Sequence, residues 1–264
     1  MAHDASEDRD LLIEAAEAAG EIAMKHFQRS PKRWDKDDGA GPVTEADLEV
    51  NAMLRERLRA ARPDYGWLSE EDPDDLARMD HERVFIVDSI DGTRAFIEGS
   101  QGFSNALAVA ERGKPIAGVV NLPARKEMFA AALGHGTTKN GASVTASAQD
   151  QMDRATVLAA RVQMQPQHWP GGVPPLDRHF RSSLAWRFCL VAEGRFDMMV
   201  TFRRSYEWDL AAGALIATEA GALVTDGDGA DMLFNSAEAM QAGVVVAPPD
   251  LHRAVMTHRA PALD

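Results

Sequence analysis

Apolar positions recur at helical spacing over residues 10–27, where Leu11, Leu12, Ala15, Ala19, Ile22, Ala23 and Phe27 form one stripe, so an amphipathic helix is expected there. Residues 30–41 are polar and rich in Lys and Asp, and read as a loop. A second helix is expected over residues 44–61, with Thr44 and Asp47 spaced as a capping box. Pro63-Asp64-Tyr65-Gly66 reads as a turn, and Trp67-Leu68 as a short strand leading into Ser69-Glu70-Glu71-Asp72. Residues 103–111, 116–122 and 127–132 read as strands, separated by turns at 112–115 and 123–126, with a loop at 135–141. In the second half, strands are expected at 156–160, 198–202, 223–225 and 243–247, and helices at 183–193 and 208–220. A Pro/Gly-rich loop covers 166–175. Mixed helices and strands of this kind imply a layered α/β or α+β fold. It is divided here into two lobes, residues 1–150 and 151–264.

One run changes the picture. Val84-Phe85-Ile86-Val87-Asp88-Ser89-Ile90-Asp91-Gly92-Thr93 is an apolar strand that ends in two carboxylates three residues apart. A buried strand cannot leave such charges unpartnered, because each costs several kcal/mol. Hard divalent cations such as Mg²⁺ prefer oxygen ligands of this type. The Gly92-Thr93 step can open a helix whose free amides point at an anion. Acids for a metal beside a cradle for an anion suggest hydrolysis of a phosphate ester.

Composition narrows the setting. A net charge of −13 argues against a general nucleic-acid or anionic-membrane surface, and leaves an anionic substrate in need of a local cation. The single cysteine, Cys189, excludes an intramolecular disulfide and a cysteine-based zinc site, and fits a cytoplasmic location. It lies on an apolar helix and reads as a small core residue. The eight histidines show no zinc spacing, and His168 and His179 read as surface residues. No apolar window approaches the roughly 20 residues of a membrane span. The acidic start of the chain lacks the pattern of a signal peptide.

Three further segments complete a constellation. Gly41-Pro42-Val43-Thr44-Glu45-Ala46-Asp47 puts an acid in a helix's first turn, and Leu68-Ser69-Glu70-Glu71-Asp72 puts acids after a strand. Trp208-Asp209-Leu210-Ala211-Ala212-Gly213 opens an apolar helix that ends at Glu219-Ala220-Gly221. With the Asp88–Thr93 run, these closely resemble the Mg²⁺-dependent, lithium-sensitive phosphatases of the inositol monophosphatase superfamily. The resemblance implies a five-layer αβαβα sandwich with the site between the lobes. It further implies that Glu70, Asp88, the Ile90 carbonyl, Asp91 and Asp209 bind two or three Mg²⁺ ions. Asp47 and Thr93 would orient the attacking water, with Glu70 also counted as catalytic, and the Gly92 and Thr93 amides would hold the phosphate. One departure stands out: Ser89 occupies a position where the superfamily usually has proline.

Within that superfamily, polyol phosphatases usually carry a glutamate seven residues before the second-lobe aspartate, and this chain has Phe202 there. Phe202, Glu207-Trp208-Asp209 and Phe188-Cys189-Leu190-Val191-Ala192-Glu193-Gly194 resemble the CysQ-type 3'(2'),5'-bisphosphate nucleotidases. The expected substrate is therefore a small bisphosphate nucleotide, adenosine 3',5'-bisphosphate, with Phe202 stacking on its base. No polymeric nucleic acid is expected as a partner, and a homodimer is allowed. Two features depart from that branch, Ser183-Leu184 at the start of the helix and Arg187 in place of a lysine. Gly92-Thr93-Arg94-Ala95-Phe96-Ile97 also resembles histidinol-phosphate phosphatases, and inositol phosphate stays open as a substrate. A regulatory protein- or RNA-binding scaffold is the alternative of another class, and phosphate release with and without Mg²⁺ separates it.

Overall fold

The structure, a computed structural model, describes residues 3–36 and 41–259. Helix α1 spans Ala5–His26, longer than the apolar stripe suggests. The extra turn is held by Asp8, which is buried and accepts hydrogen bonds from Arg62, Tyr65 and Arg83. Hydropathy cannot report an ion cluster of that kind. Where a polar loop is expected, strand β1 (Arg33–Asp35) pairs antiparallel with β2 (Pro42–Thr44), and residues 37–40 of that stretch lie outside the described residues. All three residues of β1 are exposed, so backbone pairing rather than an apolar face makes the strand. Helix α2 (Glu45–Ala61) starts at the expected capping box: Thr44 accepts from the Ala46 amide and Asp47 accepts from the Thr44 amide.

A seven-stranded sheet follows, in the order β3 (Gly66–Ser69), β4 (Arg83–Asp91), β5 (Ser104–Glu111), β6 (Lys114–Leu122), β7 (Glu127–Ala132), β8 (Thr137–Lys139) and β9 (Ala142–Val144). Only the β3–β4 pair is parallel. Strand β8 lies inside the expected loop 135–141, recruited by pairing to β7. Short helix α3 (Thr93–Ile97) begins directly after β4. The second sheet has the order β11 (Asp177–His179), β10 (Thr156–Leu158), β12 (Met198–Thr201), β16 (Val244–Ala247), β14 (Leu223–Thr225). A two-stranded ribbon joins β13 (Ser205–Tyr206) to β15 (Met240–Gln241). Helices α4 (Leu184–Ala192), α5 (Ala211–Glu219) and α6 (Pro249–Arg259) complete the fold, and the sequence reading did not foresee α6.

Five layers result. Helices α1 and α2 cover one face of the large sheet, burying Phe85 and Val87 of β4. Its other face, with Val84 and Ile86, packs on α4 and α5. Those helices also cover Met199, Val244 and Val246 of the small sheet, and α6 with Trp169 covers its outer face at Met198, Val200 and Val245. Both sheets are thus covered on two sides, which is why β4 reads as a continuous apolar run rather than an alternation. Helix α5 approaches β6 closely enough that a Cβ at Gly118 would sit 2.9 Å from the Ala212 carbonyl oxygen, so no larger residue fits. Cys189 is buried in this middle layer, as expected. Among the described residues, no helix is long and apolar enough to cross a membrane.

Candidate active site

In a regular strand, residues three apart point to opposite faces. The β4–β5 register shifts between Asp88, opposite Ala106, and Asp91, opposite Ser104, so one extra residue sits in β4. Such a bulge re-aims side chains, and here it brings Asp88 and Asp91 to the same side. Asn105 holds the bulge from behind, its amide donating to the Ser89 carbonyl at 2.6 Å. Asn121 supports it in turn, donating to Asn105 and to the Ala16 carbonyl. The Ser89 hydroxyl is buried without a hydrogen-bond partner among the described residues, so serine brings no side-chain hydrogen bond to the loop there.

Asp209 comes from the opposite side, on a tight turn over Glu207–Asp209 just before α5. Glu207 pins that turn: it is fully buried and accepts from the Asn235 and Ser236 amides, the Ser236 hydroxyl and Gln241. Carboxylate oxygens of Asp88, Asp91 and Asp209 all lie within 4.8 Å of one another. Asp88 is 1% exposed, and its Oδ1 has no hydrogen-bond partner among the described residues. Burial drives Asp88 well above the usual carboxylate range, with Glu70, Asp91 and Asp209 adding repulsion. Asp209 is driven up in the same way, by burial and then by Asp91 and Glu70. Asp91 also rises through burial, though the Ser183 hydroxyl and the first amides of α4 pull against it. Three carboxylates raised above their usual range by burial, two of them by neighbouring acids as well and one with an orphaned oxygen, are an all-oxygen donor set suited to a hard divalent cation.

Glu70 stands beside this trio rather than within it. Its Oε1 accepts from Lys36 Nζ at 2.8 Å, and the same ammonium donates to Glu71 Oε1 at 2.8 Å. A positive charge thus already sits where the two glutamates meet, which also fits a cation site. Burial pushes Glu71 up to about 7 even against Lys36. Asp47 is buried on the other flank, its Oδ2 taken by the Thr44 amide and hydroxyl. Its Oδ1 lies 3.4 Å from the Thr93 hydroxyl, which is also 3.1 Å from the Ile90 carbonyl. Burial lifts Asp47 to about 6. Gly92 caps α3 with φ of +92°, and a Cβ there would lie 3.0 Å from the Gly102 carbonyl oxygen, so both the turn and the space require glycine.

Phe202 is not brought to the acids. It follows Met198 and Val200 in the strand alternation, so its side chain goes to the outer face of the small sheet. There it meets Trp169 edge-on at 5.5 Å, His168 at 5.3 Å, and the Arg259 guanidinium 3.5 Å above the ring. The expected base-stacking role is therefore replaced by packing. Residues that sequence reasoning missed are Lys36, Glu71, Asn105, Asn121 and Ser183. Polar residues inside apolar strands were the available signal for the two asparagines.

Arg187 was noted only as a substitution, and the structure gives it a place. It is 6% exposed, and its Nε donates to the Arg181 carbonyl at 2.7 Å. Among the described residues its terminal nitrogens have no hydrogen-bond partner. Burial lowers it to about 10, while Asp91 and Asp209 pull the other way, so it stays charged at neutral pH.

A profile of the inositol monophosphatase family matches residues 4–263. The 3'(2'),5'-bisphosphate nucleotidase CysQ of Salmonella typhimurium is 32% identical over 233 residues, 87% of this chain and 94% of its own. The histidinol-phosphatase of Chlorobaculum parvum is 34% identical over 228 residues, 83% of this chain and 85% of its own. Among solved structures, the Thermotoga maritima IMPase superposes with a TM-score of 0.81 at 28% identity, over 95% of this chain and 96% of its own. Motif order, layered fold and carboxylate cluster agree with these likenesses, and the chain belongs to the inositol monophosphatase family as a metal-dependent phosphatase.

Proposed function

We propose that the chain removes a phosphate from a small bisphosphate nucleotide, adenosine 3',5'-bisphosphate, with Mg²⁺ at the acids. The observation that carries the substrate class is Arg187, a nearly buried guanidinium on which Asp91 and Asp209 act, its terminal nitrogens without a hydrogen-bond partner among the described residues. A second phosphate would give those nitrogens a charge-assisted acceptor, which a substrate with a single phosphate held at the metals does not supply. The ring of Phe180, 51% exposed, lies 4.7 Å from the same guanidinium and offers a flat surface to a base. The name of the Salmonella relative points the same way.

On this reading residues 1–150 supply most of the metal and phosphate contacts, and residues 151–264 supply Asp209 and the substrate wall. Glu70, Asp88, Asp91, Asp209 and the Ile90 carbonyl would hold two or three ions. When bound there, Mg²⁺ would neutralise the phosphate, lower the pKa of a water and stabilise the leaving alkoxide. Asp47 and Thr93 would orient the attacking water, and Asp47 Oδ1, the oxygen not used by Thr44, would take its proton. The amides at Gly92 and Thr93 orient the phosphate at the start of α3. Glu207 keeps Asp209 facing Asp88 and Asp91.

Initial rates on adenosine 3',5'-bisphosphate, inositol 1-phosphate and histidinol phosphate, measured side by side, test the proposal. The nucleotide is expected to be fastest, and Arg187→Ala should raise its KM by about 10- to 100-fold, the worth of a charge-assisted hydrogen bond. Faster turnover of either other ester overturns the nucleotide assignment and leaves the phosphatase standing.

A further inference from the structure

Ser183 is the cap of α4, and its hydroxyl does more than start a helix. It donates to Asp91 Oδ2 at 2.6 Å and accepts from the Trp186 amide at 2.9 Å. Its oxygen also lies 3.0 Å from the Ser104 hydroxyl. Because its one proton goes to Asp91, Ser104 must be the donor in that pair. One donor and two acceptor sites are the whole capacity of a hydroxyl, so all of it is spent. Ser104 faces Asp91 directly across the β4–β5 ladder. The three residues therefore tie two strands of the large sheet to the first turn of α4.

Asp91 Oδ2 receives a second bond from the Ala185 amide at 2.8 Å. Two donors occupy that oxygen, and the carboxylate is only 7% exposed. Oδ1 is the oxygen left for a cation. We propose that Ser183 is a positioning residue that fixes the Asp91 carboxylate so that it meets a divalent cation through Oδ1 alone. The neighbouring Ser182 reinforces the arrangement, because its hydroxyl donates to the Gly102 carbonyl on the same strand connection. Asp91 also gains from the α4 N-terminus, whose dipole favours an anion. The cation then binds a carboxylate whose direction is set before it arrives, and α4 must be docked on the large sheet for that direction to hold.

The inference rests on Asp91 being a metal ligand, and the wild-type enzyme tests that reading by itself. If calorimetry shows no Mg²⁺ or Mn²⁺ binding to the wild type, the metal reading fails. Given wild-type binding, Ser183→Gly isolates the tether, because glycine is itself a good helix cap. Losing a residue that orients a metal ligand typically weakens metal affinity 10- to 100-fold. Ser183→Gly should therefore bind Mn²⁺ about 10-fold or more weakly, and need correspondingly more Mg²⁺ for half-maximal rate. The rate at saturating Mg²⁺ should recover most of its value. Ser183→Thr, which keeps the hydroxyl, should restore both measurements. Unchanged metal affinity in Ser183→Gly, with only a small fall in melting temperature, overturns the proposal and leaves Ser183 a helix cap. Weakened affinity that Ser183→Thr fails to restore overturns it equally.

Discussion

Asp47→Asn separates two effects of one carboxylate. Burial lifts Asp47 from 3.8 to about 6, against the pull of the Thr44 hydroxyl and amide. A carboxyl whose folded pKa lies above its unfolded one is no burden while protonated, and costs stability as pH rises from the unfolded value through the folded one. The metal-free enzyme should thus lose stability between about pH 4 and about pH 6 on account of this group. At about 1.4 kcal/mol per pH unit, the rise corresponds to about 3 kcal/mol at pH 8. Asparagine removes the charge and, with its carbonyl oxygen in the place of Oδ2, still accepts from the Thr44 amide and hydroxyl. Metal-free Asp47→Asn should be more stable than wild type by about 1–3 kcal/mol at pH 8, and equal to it near pH 4. It cannot accept the proton of the attacking water, so turnover should fall about 100-fold or more. Urea melts in EDTA at the two pH values read the first effect. Phosphate release with Mg²⁺ across pH 5–8 reads the second. Wild-type kcat/KM should rise through a limb at or below about pH 6, since bound cations favour the ionised form, and the variant should lack that limb. A variant that keeps its turnover, or that is less stable than wild type at pH 8, refutes the reasoning.

Asp88→Asn and Asp209→Asn should each cut turnover about 100-fold or more, while the metal-free variants melt no lower than wild type because a repelling buried charge is gone. EDTA should abolish activity, and undiminished phosphate release in EDTA would overturn metal catalysis. Phe202→Ala should cost about 2–4 kcal/mol of stability and leave the ratio of KM values for nucleotide and polyol substrates unchanged. A KM loss selective for the nucleotide would return the ring to the cleft.

The long elements and the acids were legible because their signals are local. The α1 stripe, the Thr44–Asp47 capping box, the apolar run of β4 and its two terminal aspartates each sit within a few residues of chain. Short strands were not legible: β1, β8 and β11 have no apolar pattern and exist because a neighbouring backbone lies beside them. The fate of Phe202 was hidden for a similar reason. Which face of β12 it follows depends on the register with β16 and on Trp169 and α6 lying beyond, and none of these is adjacent in sequence.

By itself, the sequence determined the alternation of helices and strands, the chemistry available to the site and the family that carries it. Residue type and spacing along one chain segment decide those things. Tertiary structure alone decided how the acids work together. A one-residue bulge, stated only in the pairing of β4 with β5, turns Asp88 and Asp91 to one side, and a buried Glu207 network delivers Asp209 to them. Lys36 reaches Glu70 and Glu71 only through the β1–β2 hairpin, and Ser183 meets Asp91 only when α4 docks on the large sheet. Burial then sets the electrostatics, because a carboxylate's cost depends on the water and charge around it in space rather than on its neighbours in the chain.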